Sequence, residues 1–203
     1  MRIGIFGGAF DPPHNGHVKL AEAFYDGQDI DKLIIVPTGI SPHKQNGEEI
    51  TVKQRLALVR EAFKRFDVSE YELGKKDVSY TVNTLKYFKD IYKNDELIFL
   101  CGSDMLLSFG SWYMPDEILK LCTLCCACRV YDDNEKVLAM MEILNERFNT
   151  KIELMYFEPI EIASTQIRRM IKKGEDVSGY LAEGVYKMIV NDKLYFLGEY
   201  NGL

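Results

Sequence analysis

Two of the three histidines of this 203-residue chain lie three residues apart in one short segment, GGAFDPPHNGH, residues 7–17. His14 and His17 would share one face at the start of a helix. There the free backbone N–H groups and the helix dipole favour an anion. Gly7 and Gly8 carry no side chain, so the backbone can turn sharply and a ligand can approach it closely. These residue types predict a site for a polyphosphate.

The sequence on either side places this segment in a strand-to-helix loop. The preceding residues, MRIGIF, are apolar and rich in β-branched side chains, which predicts a buried strand. The following residues carry apolar side chains at helical spacing from Val18 to Tyr25. We expect the helix to begin near Asn15 or Gly16 and to end at Gly27.

Short apolar runs alternate with amphipathic patterns along the rest of the chain. This order predicts an α/β fold, with a single doubly wound, mostly parallel sheet and helices on both faces, Rossmann-like. We expect one domain over 1–203, with C-terminal helices from about 164 onward. The expected later strands are 32–38, 66–73, 96–102, 123–130 and 152–158, and the expected helices are 51–66, 81–93, 115–122, 134–148, 164–174 and 181–195.

Other polar residues follow the predicted strands and would meet the histidine loop at the carboxyl edge of the sheet, where such folds bind ligands. Lys44 lies in the loop after the second strand, which is either a basic cover for phosphates or a solvated surface loop. After the last strand, Ser164 and Thr165 could cap a helix, with Arg168 nearby. That arrangement indicates a second anion site.

The loop after the 96–102 strand carries a different set of residues. Gly102 leaves backbone space, and Asp104 opens a helix. Trp112, the only tryptophan, and Tyr113 follow in the next loop. Adjacent aromatic side chains at a ligand edge predict stacking on a flat ring, although packing beneath the loop is a serious alternative.

Composition and charge exclude several classes of function. The chain has 47% hydrophobic residues and a net charge of −6, so long nucleic acid is a poor partner. No stretch is apolar over the length that a membrane helix needs, and no signal-peptide pattern opens the chain. We therefore expect a cytoplasmic protein without a membrane partner, and the sequence leaves a homo-oligomer open.

The cysteines admit two interpretations. Four of the five occur in CTLCCACRV, at 122, 125, 126 and 128, where a metal or redox cluster could be supposed. Consecutive residues of a strand point to opposite faces, so Cys125 and Cys126 could not bind one ion together. An apolar strand with buried thiols is the favoured interpretation.

The histidine segment resembles the G-G-x-F-D-P-x-H-x-G-H signature of the nucleotidyltransferase superfamily. IASTQIR, residues 162–168, is similar to the tail of that superfamily's I-S-S-T-x-I-R motif. Four further segments, SPHK at 41–44, SYTVNTL at 79–85, GSDMLLSFGSW at 102–112 and the closing LAEGVYKMIVNDKLY, resemble the family of bacterial nicotinate-nucleotide adenylyltransferases in the same order.

This resemblance implies an enzyme of NAD biosynthesis that transfers the adenylyl group of ATP, with Mg²⁺, to nicotinate mononucleotide and releases pyrophosphate. His14 and His17 would be catalytic, and no protein side chain would hold the metal. The implied ATP-binding residues are Gly7, Gly8, Phe10, His14, Gly16, His17, Lys44, Gly102, Asp104, Ser164, Thr165 and Arg168, and the implied acceptor-binding residues are Lys44, Thr81, Trp112 and Tyr113.

Two positions depart from the family pattern. Ala163 stands where the motif has its first serine, and Asn83 stands where the family usually has aspartate. Three alternatives stay open at this point: a related transferase for nicotinamide mononucleotide or phosphopantetheine, a fragment of a class I aminoacyl-tRNA synthetase, or an inactive nucleotide-binding module. The synthetase would need a K-M-S-K-S-like loop, which the sequence lacks.

Overall fold

The computed structural model describes residues 1–40, 50–75, 77–129 and 134–196. Within them, six parallel strands form one sheet in the order β3-β2-β1-β4-β5-β6. The predicted fold class is thereby confirmed. The strands are Arg2–Gly8 (β1), Lys32–Pro37 (β2), Asp67–Val68 (β3), Glu96–Gly102 (β4), Thr123–Arg129 (β5) and Glu153–Phe157 (β6).

Helices connect the strands. The helices are Asn15–Gly27 (α1), Val52–Ala62 (α2), Thr81–Ile91 (α3), Ser103–Leu107 (α4), Pro115–Leu121 (α5), Glu135–Phe148 (α6), Ser164–Lys172 (α7) and Glu183–Asn191 (α8). Two short 3-10 turns occupy Phe109–Ser111 and Ser178–Tyr180. None of the described helices is long and apolar enough to cross a membrane.

The strand order reverses between β1 and β4. The chain builds β1, β2 and β3 outward in one direction and then returns to place β4 on the other side of β1. In a parallel sheet, such a reversal opens a crevice at the carboxyl ends of the two central strands. The histidine loop follows β1, so the fold places it at this crevice.

Buried side chains form three clusters that hold these elements. Alternating residues of the strands pack on opposite faces, so Ile5 belongs to one cluster and Phe6 to another. The third cluster lies away from the sheet and joins Leu58 of α2, Ile167 of α7 and Val185 of α8. This third cluster anchors the C-terminal helices that the sequence predicted from about 164 onward.

The prediction of a strand over 66–73 is wrong for most of its length. Only Asp67 and Val68 pair, with Ile34 and Ile35 of β2. The chain then turns, and the N–H of Leu73 donates to a carbonyl three residues back at 3.0 Å. β3 lies at the edge of the sheet and has only β2 as a neighbour. The alternation of apolar residues in 66–73 was therefore not enough to keep the whole segment paired.

Two apolar side chains in the helical patterns of α2 and α3 are exposed. Val52 of α2 is 38% exposed and Ile91 of α3 is 53% exposed. Both residues lie at a helix end, where the amphipathic stripe leaves the core. The last helix is shorter than predicted as well, because α8 ends at Asn191 and the chain then turns.

Candidate active site

The two histidines stack on each other at the start of α1. Their ring centroids lie 3.6 Å apart and the ring planes differ by 25°. His14 is the N-cap residue and is only 7% exposed. Burial lowers the pKa of His14 to about 4, so the ring is neutral near pH 7. A Cβ on Gly16 would lie 3.0 Å from Nδ1 of His14, which explains the glycine beside the stack.

The backbone of His14 sets the orientation of His17. The N–H of His14 donates to Nδ1 of His17 at 3.2 Å. An imidazole nitrogen that accepts carries no proton, so in the neutral ring Nε2 of His17 carries it. Phe10 packs edge-on against His17 with centroids 5.1 Å apart. His17 can therefore present an N–H donor from a fixed ring.

Phe10 itself is part of the core. Its side chain is 1% exposed, and its φ of 46° puts the backbone in the left-handed region. A Cβ on Gly8 would lie 2.8 Å from the Phe10 ring, so the glycine makes room for this turn. A contact between Phe10 and ATP could then come only from the backbone.

The start of α7 closes on the same loop. The helix begins at Ser164 with Ala163 as N-cap, so Ser164 and Thr165 are its first residues and not its caps. The hydroxyl of Ser164 donates to the carbonyl of Pro12 at 2.9 Å. Nη1 of Arg168 donates to the backbone oxygen of Asp11 at 2.6 Å. The last predicted loop therefore does lie against the first one.

A pocket of about 820 Å³ opens beside the histidine loop. It lies over the carboxyl ends of the central strands and includes Gly7 and Gly8 of β1. Among the described residues, neither histidine belongs to its lining, whereas Gly7 and Gly8, which precede the histidine loop in the chain, do. Four further predicted residues line it, namely Thr81, Asp104, Trp112 and Tyr113.

Trp112 both packs and lines the pocket. Its ring meets Phe109 with centroids 5.2 Å apart and Phe99 with centroids 6.1 Å apart. Tyr113 is 54% exposed and its ring lies 4.6 Å from that of Tyr80. The indole packs against Phe99 and Phe109 and also lines the pocket. Packing beneath the loop is therefore compatible with stacking on a flat ring.

Two buried polar residues were missed by sequence reasoning. Arg55 of α2 is 4% exposed and donates through Nη1 to the carbonyls of Ala9 and Thr38, at 2.9 and 2.7 Å. It thereby ties the loops after β1 and β2 together. The one sequence feature that could have indicated its burial is an arginine within the apolar face of a predicted helix.

Glu72 is the second missed residue. It lines the pocket, is 7% exposed and accepts at Oε1 from the hydroxyl of Thr84 at 2.6 Å. Its Oε2 has no hydrogen-bond partner among the described residues, and neither does the hydroxyl of Ser79 in the same lining. Glu72 was placed in a strand by the sequence, so no signal pointed to a pocket.

The cysteines lie where the strand interpretation placed them. Thr123–Arg129 forms β5, and all five thiols of the chain are free and buried. Burial raises the pKa of Cys125 to about 12, which keeps its thiol protonated. Within the described residues, no group of three His, Cys, Asp or Glu side chains could hold a metal ion.

Comparison with known proteins decides the family. A family profile described as cytidylyltransferase-like matches residues 5–170. A relative from Clostridium novyi (strain NT), named probable nicotinate-nucleotide adenylyltransferase, is 37% identical over 196 residues, covering 95% of this chain and 98% of the relative. This chain belongs to the nicotinate-nucleotide adenylyltransferases of the cytidylyltransferase-like family. It is therefore an enzyme of nucleotidyl transfer, as the sequence predicted.

Two solved structures share the fold of this family member. Both are of the Plasmodium falciparum nicotinic acid mononucleotide adenylyltransferase, one complexed with APC and one with NaAD. Their TM-scores are 0.73 and 0.72 at 18% and 19% identity. Each alignment covers 96% of this chain, with 96% of the first structure and 97% of the second.

Membership of the family confirms the resemblance, while the roles of single residues stay predictions. Lys44 and the rest of SPHK lie outside the described residues, as does the end of the 123–130 segment. Asn83 is exposed, and its backbone oxygen accepts from the hydroxyl of Tyr71 at 3.1 Å. Gly102 precedes α4, where a Cβ would meet no described atom within 4 Å.

Proposed function

We propose that this chain transfers the adenylyl group of ATP to nicotinate mononucleotide, with ATP over the histidine loop and the acceptor in the pocket. The observation that carries the proposal is the position of Gly7 and Gly8. They line the pocket and end β1, directly before the loop that leads to His14 and His17. The phosphate of an acceptor in the pocket would reach across these glycines to the α-phosphorus of ATP.

The acceptor side fits a ring that carries a carboxylate. Thr81 is the first residue of α3, an 11-residue helix whose N-terminus therefore opens on the pocket. Free N–H groups and the helix dipole at such an end favour an anion. We propose that Trp112 stacks on the pyridine ring, that Thr81 and backbone near Tyr113 hold the carboxylate, and that Glu72 accepts from a ribose hydroxyl.

The ATP side fits a transfer without a covalent intermediate. A 5′-phosphate oxygen of the acceptor bonds to the α-phosphorus, and the bond from that phosphorus to the bridging oxygen breaks to release pyrophosphate. Because the attacking phosphate is already an anion, positioning and charge stabilisation supply most of the catalysis. His17 would donate from Nε2 to a phosphate oxygen. His14, Gly16, Ser164, Thr165 and Arg168 would surround the phosphates, and Lys44 would cover them.

Nucleotidyltransferases of this family use a divalent metal ion with ATP. We propose Mg²⁺, bound as part of the ATP substrate and held by phosphate oxygens and water. The ion would neutralise charge on the departing pyrophosphate. Asp104, which is exposed at the pocket, is the described carboxylate best placed to contact a hydrated ion or the ribose.

The proposal is tested with purified protein, ATP and Mg²⁺ against nicotinate mononucleotide, nicotinamide mononucleotide and phosphopantetheine. Backbone N–H groups can only donate, so an amide must leave one buried group unpaired at about 1–3 kcal/mol for each mismatch. Two mismatches predict a preference for the acid on the order of 10²-fold in kcat/KM. Thr81→Val should weaken this preference, and Trp112→Ala should remove most acceptor binding.

Pyrophosphate release and dinucleotide formation, followed by chromatography, provide the two readouts. Equal kcat/KM values for the acid and the amide would contradict the assigned pocket. Turnover with phosphopantetheine alone would contradict the acceptor class and favour the related transferase.

A further inference from the structure

The C-terminal segment reaches back to the loop that carries the histidines. Tyr195 follows α8, is 3% exposed and donates its hydroxyl to Oδ1 of Asp11 at 2.7 Å. The two residues are 184 positions apart in the chain. Asp11 lies directly before the prolines and histidines of the loop, so the last described turn of the chain contacts the first loop.

Asp11 is also a partner of Arg168. Nη1 of Arg168 donates to the backbone oxygen of Asp11 at 2.6 Å and lies 3.7 Å from its Oδ2. The Tyr195 hydroxyl occupies the other carboxylate oxygen, Oδ1. Tyrosine and arginine therefore hold the two oxygens of one carboxylate, in a cluster that is largely shielded from water.

The backbone at Tyr195 is unusual for a bulky residue. Its φ is 68°, in the left-handed region, and the φ of Lys193 is 50°. Such a conformation persists in a bulky residue only where the surroundings determine it. Tyr195 packs in the cluster of α2, α7 and α8 with Leu58 and Ile167. Burial and the Asp11 carboxylate raise its pKa, so the phenol keeps the proton that it donates.

We propose that Tyr195 is a positioning residue for the ATP side of the site. Its hydroxyl fixes the Asp11 carboxylate, and Asp11 in turn fixes the Arg168 guanidinium and the loop before His14. The inference rests on the proposed function, in which Arg168 contacts the ATP phosphates.

The Tyr195 hydroxyl matters because it limits how many hydrogen-bond donors of Arg168 the Asp11 carboxylate takes up. A guanidinium has five N–H donors, and one nitrogen, Nη1, already faces Asp11. Without the phenol, Oδ1 loses its donor and draws further donors from the adjacent arginine. Those donors would then be withdrawn from the phosphates, which weakens ATP binding and leaves the pocket around Thr81 unchanged.

The experiment compares Tyr195→Phe with Tyr186→Phe, a matched control in the same cluster of helices. Tyr195→Phe keeps the ring and its packing and removes one oxygen. We expect the KM for ATP to rise about tenfold, as for a buried hydrogen bond to a charged group, and the acceptor KM to stay within about twofold. Tyr186→Phe should change neither. Circular dichroism melts establish that each variant is folded.

A double-mutant cycle with Asp11→Ala separates positioning from simple packing, because alanine has no oxygen that could accept from the Tyr195 hydroxyl. If Tyr195 acts through Asp11, adding Tyr195→Phe to Asp11→Ala changes the KM for ATP by less than about twofold. Independent effects of the two changes overturn the inference, as does a Tyr195→Phe enzyme with the wild-type KM for ATP. If Tyr195→Phe does not fold, Asp11→Ala alone is the test, and an unchanged ATP KM there overturns it.

Failure of the proposed function has a different signature. In that case the wild-type chain forms no dinucleotide from any acceptor. Calorimetric binding of a non-hydrolysable ATP analogue still measures whether Tyr195→Phe weakens the ATP side. Unchanged analogue affinity overturns the positioning role, and a weakened affinity supports it.

Discussion

At the scale of single residues, the two histidines of the proposed site differ in exposure, since His14 is buried and His17 is half-buried. His14 is buried and kept neutral, and its backbone N–H orients the ring of His17. This difference between the two histidines arises from their positions at the start of α1. The N-cap residue is buried, and the residue one turn later keeps part of its ring exposed.

Removal of His17 tests its role at the phosphates. His17→Ala should lower kcat by roughly 10²–10⁴, the range for a positioned histidine that stabilises charge in the transition state. Initial rates of pyrophosphate release measure the effect. Asn15→Ala, in the same helix turn, is the matched control and should retain most of the activity. A folded His17→Ala protein with near-normal turnover would remove this residue from the mechanism.

The buried ring of His14 predicts a pH dependence of stability. Its pKa is about 4 in the folded chain and 6.5 as an ordinary histidine, so the unfolded chain binds the proton more readily. Its contribution is therefore complete above pH 6.5 and is lost as the pH falls toward 4. Allowing for partial solvent screening, the loss is about 2 kcal/mol.

The measurement is the free energy of urea unfolding at several pH values for the wild-type chain and for His14→Asn. Asparagine is a good N-cap and does not titrate in this range. The carboxylates titrate in both chains, so the difference between them isolates His14. A difference that stays constant from pH 7 to about pH 4 would contradict the assigned burial effect.

At the scale of elements, side chains from α2 and α7 hold the loops after the strands together. Arg55 joins the loops after β1 and β2, and α7 binds the histidine loop through Ser164 and Arg168. Gly39 lies against the turn at Glu72, where a Cβ would be 2.2 Å from the Glu72 carbonyl oxygen. Thr38 and Glu72, which adjoin this close approach of two loops, both line the pocket.

Gly39→Ala should therefore disturb both stability and the pocket. Relieving an overlap with backbone atoms requires one loop to move, at a cost of about 1–3 kcal/mol. Gly74→Ala in the same turn region is the control, since a Cβ there meets no described atom within 4 Å. Urea denaturation and the KM for nicotinate mononucleotide provide the two measurements. Equal stability of the two variants would show that the loops are not packed as described.

At the scale of the whole molecule, two buried clusters pack on the sheet and a third joins α2 to the C-terminal helices α7 and α8. The prediction of one domain over 1–203 implies that these clusters unfold together. Trp112 packs against the cluster of β1 and β4, while Val185 is fully buried in the cluster of α2, α7 and α8. The single tryptophan can therefore report on a change made in a different cluster.

Val185→Ala provides the test of this cooperativity. Loss of buried methyl groups should destabilise the chain by about 2 kcal/mol. In a single cooperative unit, the urea midpoints from Trp112 fluorescence and from far-ultraviolet circular dichroism fall together. A fluorescence midpoint that stays at the wild-type value while the circular dichroism transition broadens would indicate that the C-terminal helices unfold separately.

The sequence by itself determined the sheet and the family, and it predicted the loop at which we propose the chemistry occurs. Apolar runs and helical spacing are local patterns, and the motif at 7–17 joins residues that are adjacent in the chain. For the same reason, the strand interpretation of the cysteines was correct. The prediction of a strand from alternating apolar residues failed at 66–73. Whether an edge strand continues depends on the neighbouring strand and not on its own alternation.

Only the tertiary structure decided which distant residues share the site. Arg55, Glu72 and Tyr195 meet the loops and the pocket through contacts across many residues, and a buried charge or hydroxyl has no periodic signal in sequence. The burial of His14 is also a tertiary property, because its low pKa comes from what surrounds the ring. Sequence pattern determines local conformation, whereas the solvation of a side chain and its contacts with distant residues follow from tertiary packing.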